Sequence, residues 1–276
     1  MSDSQGRLGP MCGRFASFSD AQDLADELAV AELAEDARLL GPSWNVAPTD
    51  PVRIVVERPD RASGEVTRSM RVARWGLVPS WAKDPGVGAR MINARSESLL
   101  DKPAFAKPFA ARRCLVLADG YFEWRKLSGG AAAAGTGGAA SSSGAKGRGT
   151  PKQAYWIHPA TGRFAAFAGL YEFWRDPSRA DDDPARWLVT ATVITRAATG
   201  EMERIHDRMP AHLTPGAWDR WLDPRVGAQE ASALLQAPGV ELATLPVGAA
   251  VGSVRNDGPE LIAPDTAPRD PEPVWL

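Results

Sequence analysis

The stretch RRCLVLADGYFEW, residues 112–124, decides the fold class of this chain. Its β-branched and aromatic residues run without helical spacing, which reads as strand. After it comes SGGAAAAGTGGAASSSGAKGRG, residues 128–149, which has almost no bulky side chains and cannot offset its own ordering entropy. Strand-like runs resume at once, QAYWIHP at 153–159 and FAAFAGLYEFW at 164–174. The biased segment is therefore expected as a disordered insertion at a hairpin tip within one domain, because surface loops tolerate such lengths. Further out lie VRIVVE, MRVARWGLV, WLVTATVIT and VELATLPV, all strand-like. Helices are expected at about residues 20–35, with Ser19 as N-cap, in TPGAWDRWL behind Thr214, and in AQEASALLQ. Strands outnumber helices and no βα alternation with a Gly-rich phosphate loop is present. The expected class is α+β, a single domain with a curved, largely antiparallel sheet flanked by helices.

At 276 residues, 44% hydrophobic and 24% charged, the chain can bury a sizeable core. Its formal charge of -2 gives no bulk argument for nucleic-acid binding, so any such binding needs a local basic face. Two cysteines without a CxxC spacing argue against a disulfide framework and against structural zinc, and a reducing cytoplasm fits them best. No cofactor and no metal is expected. MSDSQGRLGP, residues 1–10, has no apolar core of signal-peptide length, and no apolar run is long enough to span a bilayer.

Three histidines can be weighed one by one. His158 ends a strand and reads as structural or exposed. His206 lies in ERIHDRMP, a charged stretch ahead of a proline, either a salt-bridged surface loop or a site for proton transfer by an imidazole titrating near neutrality. Glu123 lies between Phe122 and Trp124: strand alternation would point it to solvent, whereas burial among aromatics would raise its pKa toward general acid/base use. Asn93 and Arg95, in MINARSES, offer donors suited to a phosphate or sugar oxygen. Ten tryptophans are many, and Trp44, Trp75 and Trp81 each stand beside Pro, Gly or Asn; near Arg14, Arg74, Arg90 and Arg95 one of them could stack on single-stranded nucleic acid.

Taken in order, MCGRFA, WNVAPT, RWGLVPSWAKD, MINARSES, RRCLVLADGYFEW, AGLYEFW, IHDRMP and VGSVRNDGPELI resemble the SRAP family (SOS response-associated peptidase), the abasic-site processing proteins that crosslink themselves to DNA. The resemblance runs from Met11 to about Pro264 and implies a domain over 11–265, preceded by a leader at 1–10 and followed by a tail at 266–276. It implies a catalytic Cys12, matching the family's cysteine exposed by removal of methionine, with Asn93, Glu123 and His206 as the other catalytic positions. Arg14, Arg95 and Arg208 stand where the family contacts DNA, with Trp75 beside them. The implied partner is single-stranded DNA containing an abasic site, met by a monomer without membrane association. The chemistry would need a chain beginning at Cys12, because only a free α-amine beside the thiol can form a Schiff base and close to a thiazolidine.

Met11 as the true start, self-processing of the leader, and loss of the activity all stay open. So do a Cys/His thiol hydrolase or self-processing peptidase with Cys12 as nucleophile, and a noncatalytic single-stranded DNA-binding module. Cys114, in an apolar strand, is expected as a buried hydrophobe.

Overall fold

The computed structural model describes residues 13–60, 63–127 and 150–267. Met11, Cys12 and the expected insertion at 128–149 lie outside the described residues. Strands come in the order β1 (Phe15–Ser17), β2 (Glu32–Leu33), β3 (Ser43–Val46), β4 (Pro51–Pro59), β5 (Val66–Trp75), β6 (Asn93–Arg95) and β7 (Arg113–Ala118). They continue as β8 (Gly120–Lys126), β9 (Lys152–Pro159), β10 (Ala165–Arg175), β11 (Trp187–Ala197), β12 (Arg208–Pro210), β13 (His212–Leu213) and β14 (Leu242–Val247). Five short helices sit among them: α1 (Ala21–Glu27), α2 (Glu35–Leu39), α3 (Pro103–Ala111), α4 (Pro215–Leu222) and α5 (Ala228–Gln236). The class is α+β, as expected.

The larger sheet is more than curved. Its path β11-β10-β7-β4-β5 returns on itself, because β5 pairs in parallel with β11 through Arg74 with Thr190 and Trp75 with Ala191. The result is a closed barrel, which removes the exposed edges an open sheet would carry. A second sheet, β14-β9-β8-β1-β3, packs beside it.

Two adjacent residues join the sheets. RCLVLA in β7 is buried at every position. Alternation sends Cys114 and Val116 toward Phe15, Trp75, Tyr121 and Phe167, and sends Leu115 and Leu117 toward a layer holding Phe109, Trp218 and Trp221 from α3 and α4. At Asp119 the chain leaves the barrel. Its carboxylate accepts from the amides of Phe18 (2.6 Å) and Ser19 (3.0 Å) and from the Ser19 hydroxyl, which turns the backbone. Gly120 follows because a Cβ there would stand 2.5 Å from the Ile157 carbonyl oxygen and the Trp156 ring. The stretch that reads as one strand run is thus two strands in two sheets.

The ends on either side of residues 128–149 pair as an antiparallel ribbon, β8 with β9, from Tyr121 opposite Ile157 to Lys126 opposite Lys152, and the Leu127 amide donates to the Pro151 carbonyl. Near the N-terminus the expected helix over 20–35 is corrected. Asp20, not Ser19, caps α1, whose last turn ends at Leu28; Ala29 then takes a positive φ of 50°. The next residues pair with β5 as β2 instead of continuing the helix. The Asp20 carboxylate accepts from the amides of Gln22 and Asp23, while the Ser19 hydroxyl donates to Asp119. The helices α4 and α5 match their expected spans.

Candidate active site

Glu123 is only 4% exposed. Of its two sequence readings, burial is the one the fold adopts: Tyr121 and Glu123 share a face of β8, and Tyr121 belongs to the inner core with Tyr155 and Ile157. Opposite this strand, the 3₁₀ turn Gly200–Arg204 ends just before His206. Glu123 and His206 line one cleft of about 360 Å³, together with Trp124, Arg125, Arg204 and Asp207. The Tyr121 hydroxyl meets the Met202 sulfur at 3.7 Å, so the strand carrying Glu123 and the turn preceding His206 touch behind the cleft.

A donor and an acceptor both meet Nδ1 of the His206 ring. The Arg208 amide donates to Nδ1 at 3.0 Å, a contact that favours the neutral ring with its own proton on Nε2. Asp207 Oδ1 also lies 2.9 Å from Nδ1, a pairing that becomes attractive once the ring is protonated. The amide suits a ring with its proton on Nε2, and the carboxylate suits a ring that is protonated on Nδ1.

Asn93 is half-buried on β6 and is not among the residues lining the cleft. Strand β11 relates it to His206. Asn93 pairs in parallel with Val193, and Arg208 pairs antiparallel with Ala197, so both segments hang from one strand. The indole of Trp75 donates to the Ile92 carbonyl at 2.9 Å, immediately before Asn93.

That contact corrects the assignment of Trp75 to DNA. Its side chain is fully buried, in edge contact with Phe15 at 4.8 Å, and offers no face to a base. Trp81, in the same RWGLVPSWAKD run, is 70% exposed. Arg14 is drawn into the protein: its guanidinium donates to Asn45 Oδ1 and the Val251 carbonyl, both at 2.9 Å, and to the Gly252 carbonyl at 3.3 Å. Arg95 is exposed. Arg208 makes a two-point ion pair with Glu97, at 2.5 and 2.9 Å, and donates to the Thr195 carbonyl at 2.7 Å. This hydrogen bonding is the main cause holding the Glu97 carboxyl below its ordinary pKa.

Sequence reasoning did not find Glu97, whose only signal is a carboxylate four residues beyond Asn93. Nor did it find the basic end of the cleft, where Lys126 and Lys152 are direct cross-strand partners. Like charges so opposed destabilise a ribbon, and a bound anion would relieve them. His158 is structural as read, stacked on Trp156 with Nδ1 2.9 Å from the Pro159 carbonyl. Cys114 is fully buried and its thiol pKa is raised by desolvation, so it is inert. Among the described residues no cluster of His, Cys, Asp and Glu could hold a metal, and no helix is long and apolar enough to cross a membrane.

Fold and site together define an α+β barrel protein with a buried carboxyl and an imidazole on one basic-ended cleft. Residues 11–254 match the family described as SOS response associated peptidase (SRAP), and the chain belongs to that family. Its relatives include the abasic site processing protein YoqW of Bacillus subtilis (strain 168), 34% identical over 91% of this chain and 99% of its own length. Abasic site processing protein HMCES of Gallus gallus is 32% identical over 81% of this chain and 66% of its own, and YedK of Escherichia coli (strain K12) is 30% identical over 92% and 100%. A crystal structure of a protein from Bacteroides thetaiotaomicron shares the fold, with a TM-score of 0.69 at 21% identity, covering 92% of this chain and 100% of that one.

Proposed function

We propose that this protein processes abasic sites, forming a covalent thiazolidine with the ring-opened abasic sugar in single-stranded DNA through a chain that begins at Cys12. The observation that carries the reading is that a buried Glu123 and His206 line one cleft, in a chain whose relatives are named abasic site processing proteins. In the reaction, protonated His206 donates its Nε2 proton to the ring oxygen of the closed sugar while Glu123 takes the proton of the C1′ hydroxyl, so that the bond from C1′ to the ring oxygen breaks and the aldehyde forms. The α-amine of Cys12 attacks that aldehyde, Glu123 shuttles the protons, and one water leaves as the imine forms. The Cys12 thiolate then adds to the imine carbon and the nitrogen regains a proton, which closes the five-membered ring. Asn93 orients the amine or the sugar.

Arg95 holds a flanking phosphate, Trp81 supplies the stacking face, and Lys126 and Lys152 draw the strand toward the cleft. The protein acts as a cytoplasmic monomer, with residues 11–265 as its working unit.

The test is the intact mass of a chain spanning residues 12–276 after incubation with a single-stranded oligonucleotide bearing one abasic site. The expected product is protein plus oligonucleotide less one water. Absence of an adduct, or one that still forms after N-terminal acetylation, would overturn the reading.

A further inference from the structure

We infer that Glu97 is a positioning residue for His206, acting through Arg208 to fix which ring nitrogen carries the proton. The inference rests on the role proposed for His206, but its geometry stands apart from that role. Glu97 lies in the 3₁₀ turn Ser96–Ser98, directly after β6 and Asn93. Arg208 opens β12, two residues beyond His206. The ion pair between them spans a sequence separation of 111 residues and ties together two segments that pair with opposite edges of β11 at Thr195.

Most surface ion pairs contribute little, because two long side chains must be ordered in high dielectric. This one differs in three respects. Both carboxylate oxygens accept from the guanidinium, a planar two-point match that fixes orientation as well as distance. The Arg208 side chain is only 12% exposed, against 53% for Glu97, so the cation is held on the protein side of the contact. A third acceptor, the Thr195 carbonyl, completes the clamp from near the end of β11. The pinned guanidinium and the ladder pairing of Arg208 with Ala197 together hold this residue against β11. The Arg208 amide is the one that donates to His206 Nδ1 at 3.0 Å.

The chain of cause is therefore short. Glu97 and Thr195 set Arg208, the Arg208 amide occupies Nδ1, and the ring proton is confined to Nε2. Without Glu97 the partly buried guanidinium seeks other partners, the amide leaves Nδ1, and the ring samples both tautomers. Rings with the proton on Nδ1, where the Asp207 carboxylate accepts it, would then build up, and the ring plane would lose one of its anchors. Substrate is not touched by Glu97 in this scheme.

Two measurements on the chain spanning residues 12–276 test this. In the first, ¹⁵N NMR of the side-chain nitrogens reads the His206 tautomer at a pH where the ring is neutral, without DNA; with three histidines in the chain, His206→Gln identifies the signal. The parent should show Nδ1 unprotonated, and Glu97→Ala should show a tautomer mixture. In the second, the single-turnover crosslinking rate should fall about tenfold in Glu97→Ala, a fraction of the roughly 10²–10⁴ supplied by a positioned acid or base. Glu97→Gln, which keeps one acceptor oxygen, should lie between the two on both measures, and serves alone should the alanine variant not fold.

An unchanged tautomer in both variants overturns the inference whatever the rates do. So does tighter noncovalent binding of the abasic oligonucleotide by Glu97→Ala with the tautomer retained, since Glu97 would then be a competitor for phosphate. If the parent forms no crosslink while the variants lose the tautomer, the proposed function fails and the positioning role stands.

Discussion

His206 and His212 are separated by β12 alone, yet they live in different physical worlds. His206 follows a 3₁₀ turn at the mouth of a cleft, with its side chain 14% exposed, an amide on one nitrogen and a carboxylate beside it. His212 sits in β13 opposite Phe167, 3% exposed, with its ring 5.6 Å from Tyr121 and 5.1 Å from Phe167. Neither of its nitrogens makes a well-formed hydrogen bond among the described residues. Burial, aided by the nearby charge of Arg196, pushes its pKa down to about 3. The same side chain meets an amide and a carboxylate in a cleft in one place and is an apolar ring in the other. Neighbouring backbone and solvent access decide which.

The sharpest way to break this contrast is to exchange the roles. His206→Gln should slow crosslinking to an abasic oligonucleotide by roughly 10²–10⁴, the range for loss of a positioned acid or base, and His212→Phe should leave the single-turnover rate unchanged. Equal loss in both would mean that the cleft is not where the chemistry lies. Next in size is the contrast between Trp75 and Trp81. Trp75→Ala should cost about 3–5 kcal/mol in urea-monitored stability, as expected for emptying a packed aromatic site, and should also loosen the Ile92 carbonyl ahead of Asn93.

Third is acid sensitivity. Above the ordinary histidine pKa of 6.5 His212 is neutral folded and unfolded, and contributes nothing to pH dependence. Below it the unfolded chain takes a proton that the folded chain refuses until about pH 3. Stability therefore falls across that window, by at most about 1.4 kcal/mol per pH unit. Urea midpoints of His212→Phe should exceed those of the parent by a margin that grows as pH drops through the window. The smallest effect is Trp81→Ala, which should shift stability by less than about 0.5 kcal/mol, as for other exposed sites. Its affinity for single-stranded DNA should nonetheless weaken by about 1–3 kcal/mol, the worth of one stacked base. A stability loss matching that of Trp75→Ala would place Trp81 in the core and remove it from the binding face.

Much of this was legible in advance, where a residue's role is set by its immediate neighbours in sequence. The helix TPGAWDRWL carries its own start signal and amphipathic face, and α4 occupies that span. The paired strands on either side of residues 128–149 announce themselves by aromatic and β-branched content. Partners distant in the chain were not legible. Barrel closure depends on β5 meeting β11, a contact between segments with no local code for each other. Trp75 looks like any tryptophan beside a glycine until the barrel surrounds it. α3 was not among the expected helices; Pro103 occupies its opening turn, where a missing amide costs nothing, and Pro108 lies inside it. At the site, Glu123 and His206 could be named from their motifs. Their shared cleft, and the dependence of one on Glu97, are products of topology.

Arg14 adds a mechanical consequence. If the link to DNA is made at residue 12, any motor dragging on the strand pulls the protein by its first residue. Behind that point stands β1, only three residues long. Arg14 meets the load before β1 does, gripped by Asn45, Val251 and Gly252, while its own carbonyl accepts from the Phe122 amide. The clamp works as the strain relief on a cable, passing tension into β3, β8 and the turn Ala249–Gly252 together. Single-molecule pulling from residue 12 should rupture Arg14→Ala at lower force than the parent, and a protein so anchored would let go of its fold later than a three-residue strand alone would permit.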